Sequence, residues 1–245
     1  MKIKIHFITQ IFLLVCLVSG YFYEVMTMYF CLLFHEIGHY IMIKILKKDI
    51  TMLEISPLGG ILHIDKCQND FNYKEFLIHF SGPVVSFILY IILNCLDANE
   101  ILLQSSLYIL ILNLLPIYPL DGGKILLSLR QYFMPYRKAL RFTIFSSLIA
   151  ILLLIVYLVN YYNYVLILLY FFYLNLKFYY DISYIYYSFL WYKYLHPNKR
   201  LKQKLILNDK TIYYAFYKGF NNLFYQDLHF IEEKQILKQT LTLHK

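Results

Sequence analysis

The sequence predicts an all-α polytopic membrane protein. It has six transmembrane helices, a small membrane-associated β-hairpin between helices 2 and 3, and a short cytoplasmic tail. Three observations predict this class. Of the 245 residues, 60% are hydrophobic and 20% aromatic. Only 16% are charged, against about 25% in soluble domains. Those charges bunch at the ends of apolar runs, and a spanning helix needs about 20 apolar residues.

The first run, Ile5 to Tyr23, contains no Asp, Glu, Lys or Arg. Lys2 and Lys4, the apolar residues after them and the small residues Ser19 and Gly20 resemble a signal peptide; the apolar run that follows at once favours an uncleaved first span. The second run covers Val25 to Ile43, the third Phe76 to Leu96, the fourth Ile101 to Ile117 and the fifth Phe142 to Val159. The sixth covers Tyr164 to Leu176 and continues as a tyrosine-rich helix towards Trp191. Membrane interfaces favour aromatic side chains, which accounts for these tyrosines.

Between the second and third runs, "DITMLEISPLGGILHID" alternates apolar and polar residues around Pro57 and a glycine pair. That is a hairpin pattern, with an ordinary loop as the alternative. From Asn198 the chain turns polar and basic. "TIYYAFYKGFNNLFYQ" suits two short strands joined at Lys218-Gly219, and "IEEKQILKQTL" a short helix. The tail is too small for a core of its own. The expected division is a six-helix domain over 1–195 and a cytoplasmic segment over 196–245.

The net charge of +8 has the same origin. Lysines and arginines lie before the first run, after the second, between the fourth and fifth (Lys124, Arg130, Arg137, Lys138 and Arg141) and after the sixth. The three other connections carry none. The positive-inside rule then places both termini in the cytoplasm, and no nucleic-acid site is expected. The four cysteines form no CxxC pair, so neither a disulfide framework nor a cysteine zinc site is expected.

Within the second run stand His35, Glu36 and His39, an HExxH pattern. Residues four apart share one helix face. Two imidazoles so placed can hold one zinc ion, and the adjacent glutamate can act as general base on a water. Ionisable groups in a spanning helix cost about 2.5–3.5 kcal/mol each on insertion scales, so they tend to face the bundle interior with a task. The alternative is a polar helix end reaching the interface. A catalytic zinc takes three protein ligands. Of the acidic residues on the same side, Asp121 has the most unusual setting, in "NLLPIYPLDGG". Pro116 and Pro119 break the helix there and free carbonyls, and Gly122 and Gly123 permit a tight turn. A turn aspartate capping the helix from Gly122 is the other reading. His63 and His79 are spare histidines, either extra ligands or loop and interface residues.

HExxH in the second span together with "NLLPIYPLDGG" in the fourth resembles the site-2 protease family of intramembrane zinc metalloproteases. Asn113, Pro116, Asp121 and Gly122 match each position of that family's second motif. "SGPVVSF", from Ser81 to Phe87, resembles its Gly-Pro element, and "PLGG", Pro57 to Gly60, its membrane-associated strand. The match covers about Glu24 to Leu129, and the layout without a PDZ domain is similar to the sporulation branch.

The resemblance implies a zinc endopeptidase that cuts a membrane-associated protein substrate in or beside the lipid bilayer. One Zn2+ would be held by His35, His39 and Asp121, with Glu36 activating water and Asn113 orienting the substrate backbone. Pro57 to Gly60, with docking at Gly59 and Gly60, would hold an extended substrate strand. The sporulation branch suggests a pro-sigma factor as substrate, and leaves room for inhibitory membrane partners and an oligomer. One departure is plain: that branch usually ends in a nucleotide-sensing CBS domain, and a tail of 48 residues is too short for one. Control by ATP is therefore not implied. A metal transporter would instead spread polar residues through several spans and on both sides. An inactive family member acting as a binding scaffold would not need the intact Glu36.

Overall fold

The computed structural model describes residues 2–5, 20–48, 50–56, 59–64, 72–198, 201–207, 212–226 and 229–242. All but the ends of the predicted first span, and Pro57 and Leu58, lie outside them. The chain divides into two compact units, one of residues 1–66 and 77–115, the other of 67–76 and 116–245.

The first unit is built on α1 (Phe22–Ile45), most of α2 (Asn72–Cys95) and α3 (Glu100–Leu114). Cys31 of α1, Leu89 and Leu93 of α2 and Ile109 of α3 form its buried core. Gly38 sets the approach of α1 to α2. A Cβ there would lie 2.7 Å from the Ser81 carbonyl oxygen and 2.9 Å from Val85 Cγ2, so a glycine at this point of the HExxH turn lets the two helices meet. α3 ends as the sequence requires, because the residue before a proline is pushed out of helical geometry. Leu115, before Pro116, is extended, with ψ 138°.

The predicted hairpin is present and gains a partner. β2 (Ile50–Ser56) and β3 (Gly59–Ile64) pair antiparallel, with Gly59 opposite Ser56 and Gly60 opposite Ile55. β1 (Lys2–Ile5) adds in parallel to β2, from Lys2 opposite Met52 to Ile5 opposite Ile55. In the order β1-β2-β3, β3 lies at one edge, and it packs beside α1.

The second unit holds α4 (Asp121–Phe133), α5 (Tyr136–Tyr157) and α6 (Tyr162–Leu195). A three-stranded sheet follows, of β4 (Gln203–Leu207), β5 (Asn221–Gln226) and β6 (His229–Glu232), then α7 (Glu233–Thr242). β4 and β5 are parallel, β5 and β6 antiparallel. The Lys218-Gly219 turn is where the sequence places it, with Gly219 at φ 75°. The segment before it, however, makes a 3-10 turn at Ile212–Tyr214 rather than a strand.

The tail solves its size problem by sharing a core. Phe216, Phe224, Ile236 and Leu237 pack with Tyr136 and Leu140 of α5 and with Tyr186, Phe189 and Leu190 of α6. α6 has 34 residues, which at 1.5 Å per residue is about 50 Å, well beyond a hydrocarbon layer of about 30 Å. Its final turns are thus available to the tail. Lys193, buried in α6, pairs with Glu233 and donates to the Phe220 carbonyl at 2.6 Å. The Arg137 guanidinium lies 3.9 Å from the Tyr214 ring centre, and its hydrogen bond holds that phenol below the ordinary tyrosine range.

Three described helices are long and apolar enough to cross a membrane: Tyr73–Cys95, Tyr136–Tyr157 and Tyr164–Leu195. α3 is apolar but only 15 residues long. α1 has 24, and His35, Glu36 and His39 interrupt its apolar character. The mixed, basic stretch after Pro119 folds as the separate helix α4.

Candidate metal centre

His35 and His39 project from successive turns of α1, as their spacing demands. Both are buried, His35 to 1% exposure. Their Nε2 atoms are 3.2 Å apart. Zinc–nitrogen bonds of about 2.0–2.1 Å at a tetrahedral angle put two ligand nitrogens roughly 3.3 Å apart, so the pair matches one edge of a zinc tetrahedron. Glu36 stands beside them, half-buried.

α2 supplies the supports. His39 Nδ1 lies 2.6 Å from the Ile78 carbonyl oxygen. A carbonyl only accepts, so Nδ1 carries the proton and Nε2 presents its lone pair. A ring held in this way is the usual outer support of a metal-bound histidine. His35 Nδ1 lies 2.9 Å from Ser86 Oγ. Pro83, inside α2, cannot donate to the His79 carbonyl and so loosens the ladder just where the neighbouring Ile78 carbonyl receives His39. Replacing Ser86 by Ala should weaken zinc binding by about 10-fold, read by competition with a chelator; unchanged affinity would show that Ser86 does not orient His35.

Gly82 is the support that sequence reasoning missed. A Cβ there would lie 2.7 Å from His35 Nε2 and closer still to His39 Nε2. The bare glycine leaves open the space onto which both lone pairs point. "SGP" gave only a family element; the function of its glycine shows once α2 is laid against α1. His79 stands nearby, its ring 6.4 Å from that of His39. His63 lies in β3, opposite Met52.

In the second unit Asp121 is buried as the first residue of α4. It is not the cap: Leu120 holds that position, without a side-chain hydrogen bond. A carboxylate in the first turn is favoured by the helix dipole, and Lys124 Nζ is 3.8 Å from Oδ1. Gly123 seats the preceding loop directly on α4, since a Cβ there would be 2.6 Å from the Ile117 carbonyl oxygen. The Tyr118–Pro119 peptide in that loop is cis. Asn113 is half-buried one residue before the end of α3, and its Nδ2 donates to the Ile109 carbonyl at 3.1 Å. Gly59 and Gly60 open β3. Among the described residues β3 pairs with β2 alone, so its outer edge is open.

The apolar helices mark an integral membrane protein, and in sequence and fold the chain is similar to metalloproteases of the site-2 type. It is 30% identical over 162 residues to stage IV sporulation protein FB of Bacillus subtilis, a match covering 63% of this chain and 56% of that one. It is 34% identical over 116 residues to a zinc metalloprotease of Methanocaldococcus jannaschii, covering 43% of this chain and 33% of that one. Both matches span less than two thirds of the relative's length. Among solved structures it is similar to the site-2 protease from Methanocaldococcus jannaschii, with a TM-score of 0.53 and 25% identity, over 74% of this chain and 88% of that one. No family model matches the chain.

Proposed function

We propose that the chain is an intramembrane zinc endopeptidase, hydrolysing a peptide bond in or next to a membrane segment of a protein substrate. The observation that carries this reading is the buried Nε2 pair of His35 and His39, 3.2 Å apart with Glu36 beside it on an otherwise apolar helix. Asp121 completes the ligand set in this reading, giving two imidazoles and a carboxylate, all buried and of the kind zinc takes. The zinc metalloprotease among the relatives supports the choice of metal.

Zinc, when bound, supplies Lewis-acid polarisation of the scissile carbonyl and acidifies a water. Glu36 takes the proton from the attacking water and passes it to the leaving amine. Asn113 orients the substrate backbone. A helical substrate hides its carbonyls in its own hydrogen bonds and must unwind before attack; the open edge of β3 at Gly59 and Gly60 can receive the freed backbone groups.

A pro-sigma factor substrate, cut during sporulation, is the finer reading. It rests on the sporulation-branch resemblance and on the name of the Bacillus subtilis relative. The six-span arrangement over 1–195, both termini cytoplasmic, one zinc per chain, inhibitory membrane partners and an oligomer belong to the same proposal. The pairing of β1 with the hairpin after α1 supports placing the N-terminus on the side of that hairpin. Transport of metal finds less support. Buried polar groups of α5 and α6 make hydrogen bonds to protein: Thr143 accepts from Arg130, and Ser147 and the Asn175 amide nitrogen bond backbone.

The test is metal content. Protein purified from a membrane should hold about one zinc per chain, and His35→Ala should lose it. Freshly purified wild type without metal would overturn the proposal.

A further inference from the structure

α5 and α6 are apolar helices, yet each buries a polar side chain completely. Ser147 and Asn175 are both 0% exposed. Burial of a polar group is unfavourable unless it is hydrogen-bonded, so their partners disclose what they are for. Ser147 Oγ accepts from the Tyr118 amide at 3.0 Å, and it lies 3.3 Å from the Pro116 carbonyl and 2.8 Å from that of Thr143. Asn175 Nδ2 donates to the Tyr118 carbonyl at 2.5 Å and to that of Phe171, in its own helix, at 2.9 Å.

Two helices thus grip one short backbone segment, from Pro116 to Pro119. This is the segment whose prolines cannot donate and whose groups have left the helical ladder. It leads directly into α4, and its Ile117 carbonyl sits against Gly123, two residues past Asp121. The Leu120 amide closes back onto the Ile117 carbonyl at 2.9 Å. The path from the grip to Asp121 is therefore three residues of bonded, tightly packed backbone. A helix start held from two sides fixes the direction in which its first side chain leaves the backbone. A start held on one side only would leave that direction less fixed.

We propose that Ser147 and Asn175 are positioning residues for the Asp121 carboxylate: they clasp the backbone of 116–119 and so aim the third ligand. The inference rests on Asp121 being a zinc ligand. Neither residue touches the metal; both act through the loop. Among the described residues Asn175 Oδ1 is buried without a hydrogen-bond partner, so the bonds this side chain makes there are those of its amide donors, and an isosteric apolar residue would fill the space without them.

The test uses the full chain, purified in detergent and titrated with zinc alone against a competing chelator. The variants are Ser147→Ala, Ser147→Thr and Asn175→Leu. Ser106→Ala is the control, a buried serine whose hydrogen bond, among the described residues, stays within α3. Ser147→Ala and Asn175→Leu should each bind zinc about 10-fold more weakly, as loss of an outer-shell support does. Ser147→Thr, which keeps the hydroxyl, should restore affinity, and Ser106→Ala should match wild type. With cobalt in place of zinc, the visible absorption of the two weakened variants should change shape, which altered packing alone would not produce. Wild-type affinity in both variants, or a lowered thermal midpoint with unchanged affinity, overturns the clasp and leaves the zinc site standing. If wild type binds no zinc, the zinc reading itself fails. If Asn175→Leu does not fold, Ser147→Ala decides, since it removes a single oxygen.

Discussion

Replacing Glu36 by Gln should stop peptide cleavage while leaving zinc in place. Gln has the shape of Glu but no basic carboxylate, and Glu36 is not among the groups proposed to hold the metal. General acid–base catalysis by a positioned side chain contributes about 10²–10⁴-fold, and that is the expected loss. The measurement is cleavage of a membrane-tethered protein substrate co-expressed with wild type or variant, with zinc content determined on the same preparations. Glu36 is half-buried on the ordered helix α1, so the exchange should not disturb folding. Cleavage within a factor of a few of wild type, with zinc bound, would sink the assignment of Glu36 as the base.

Gly82→Ala should abolish or severely weaken zinc binding, and activity with it. The sign of this effect is unusual. Alanine in place of glycine within a helix ordinarily stabilises by roughly 0.5–1 kcal/mol. Here its methyl group would stand 2.7 Å from His35 Nε2 and against His39 Nε2, in the space the lone pairs face. Expected is a chain in which the methyl displaces the two buried rings from their supports, so that the usual gain in helix stability is offset by overpacking, and zinc binds more weakly by at least the 10–100-fold typical of lost outer support. Titration with zinc and a thermal melt of the apo protein read the two effects apart. Full zinc affinity in Gly82→Ala would mean that the imidazoles do not converge on the face of α2.

Much of the site was legible because its constraints are local. The four-residue spacing of His35 and His39 dictates a shared face on any helix, and the rarity of ionisable groups in apolar runs marks them out. The break at Pro116 and the hairpin around Gly59 and Gly60 are equally local, since proline and glycine act on their own backbone. Helix α4 was less legible, because its apolar residues are mixed with Lys124 and Arg130 and its face shows only against a partner. How the tail packs was not legible for a related reason. Judged alone it is too small for a core, but it borrows Tyr186, Phe189 and Leu190 from the overlong α6. Its first predicted strand became a 3-10 turn, where the Tyr213 carbonyl accepts a hydrogen bond from the Tyr186 hydroxyl.

The sequence by itself determined the membrane character of this protein, the shared helix face of His35 and His39 with Glu36 beside it, and the proline-broken segment before Asp121, since each follows from the residues of one short stretch. The tertiary structure decided what those stretches rest on. Gly82 and the Ile78 carbonyl reach the histidines across some 40 positions of chain, and Asn175 reaches the Tyr118 carbonyl across 57. No periodicity records such a meeting: a glycine in an apolar helix, or an asparagine among tyrosines, acquires its purpose only from the backbone that folding places beside it.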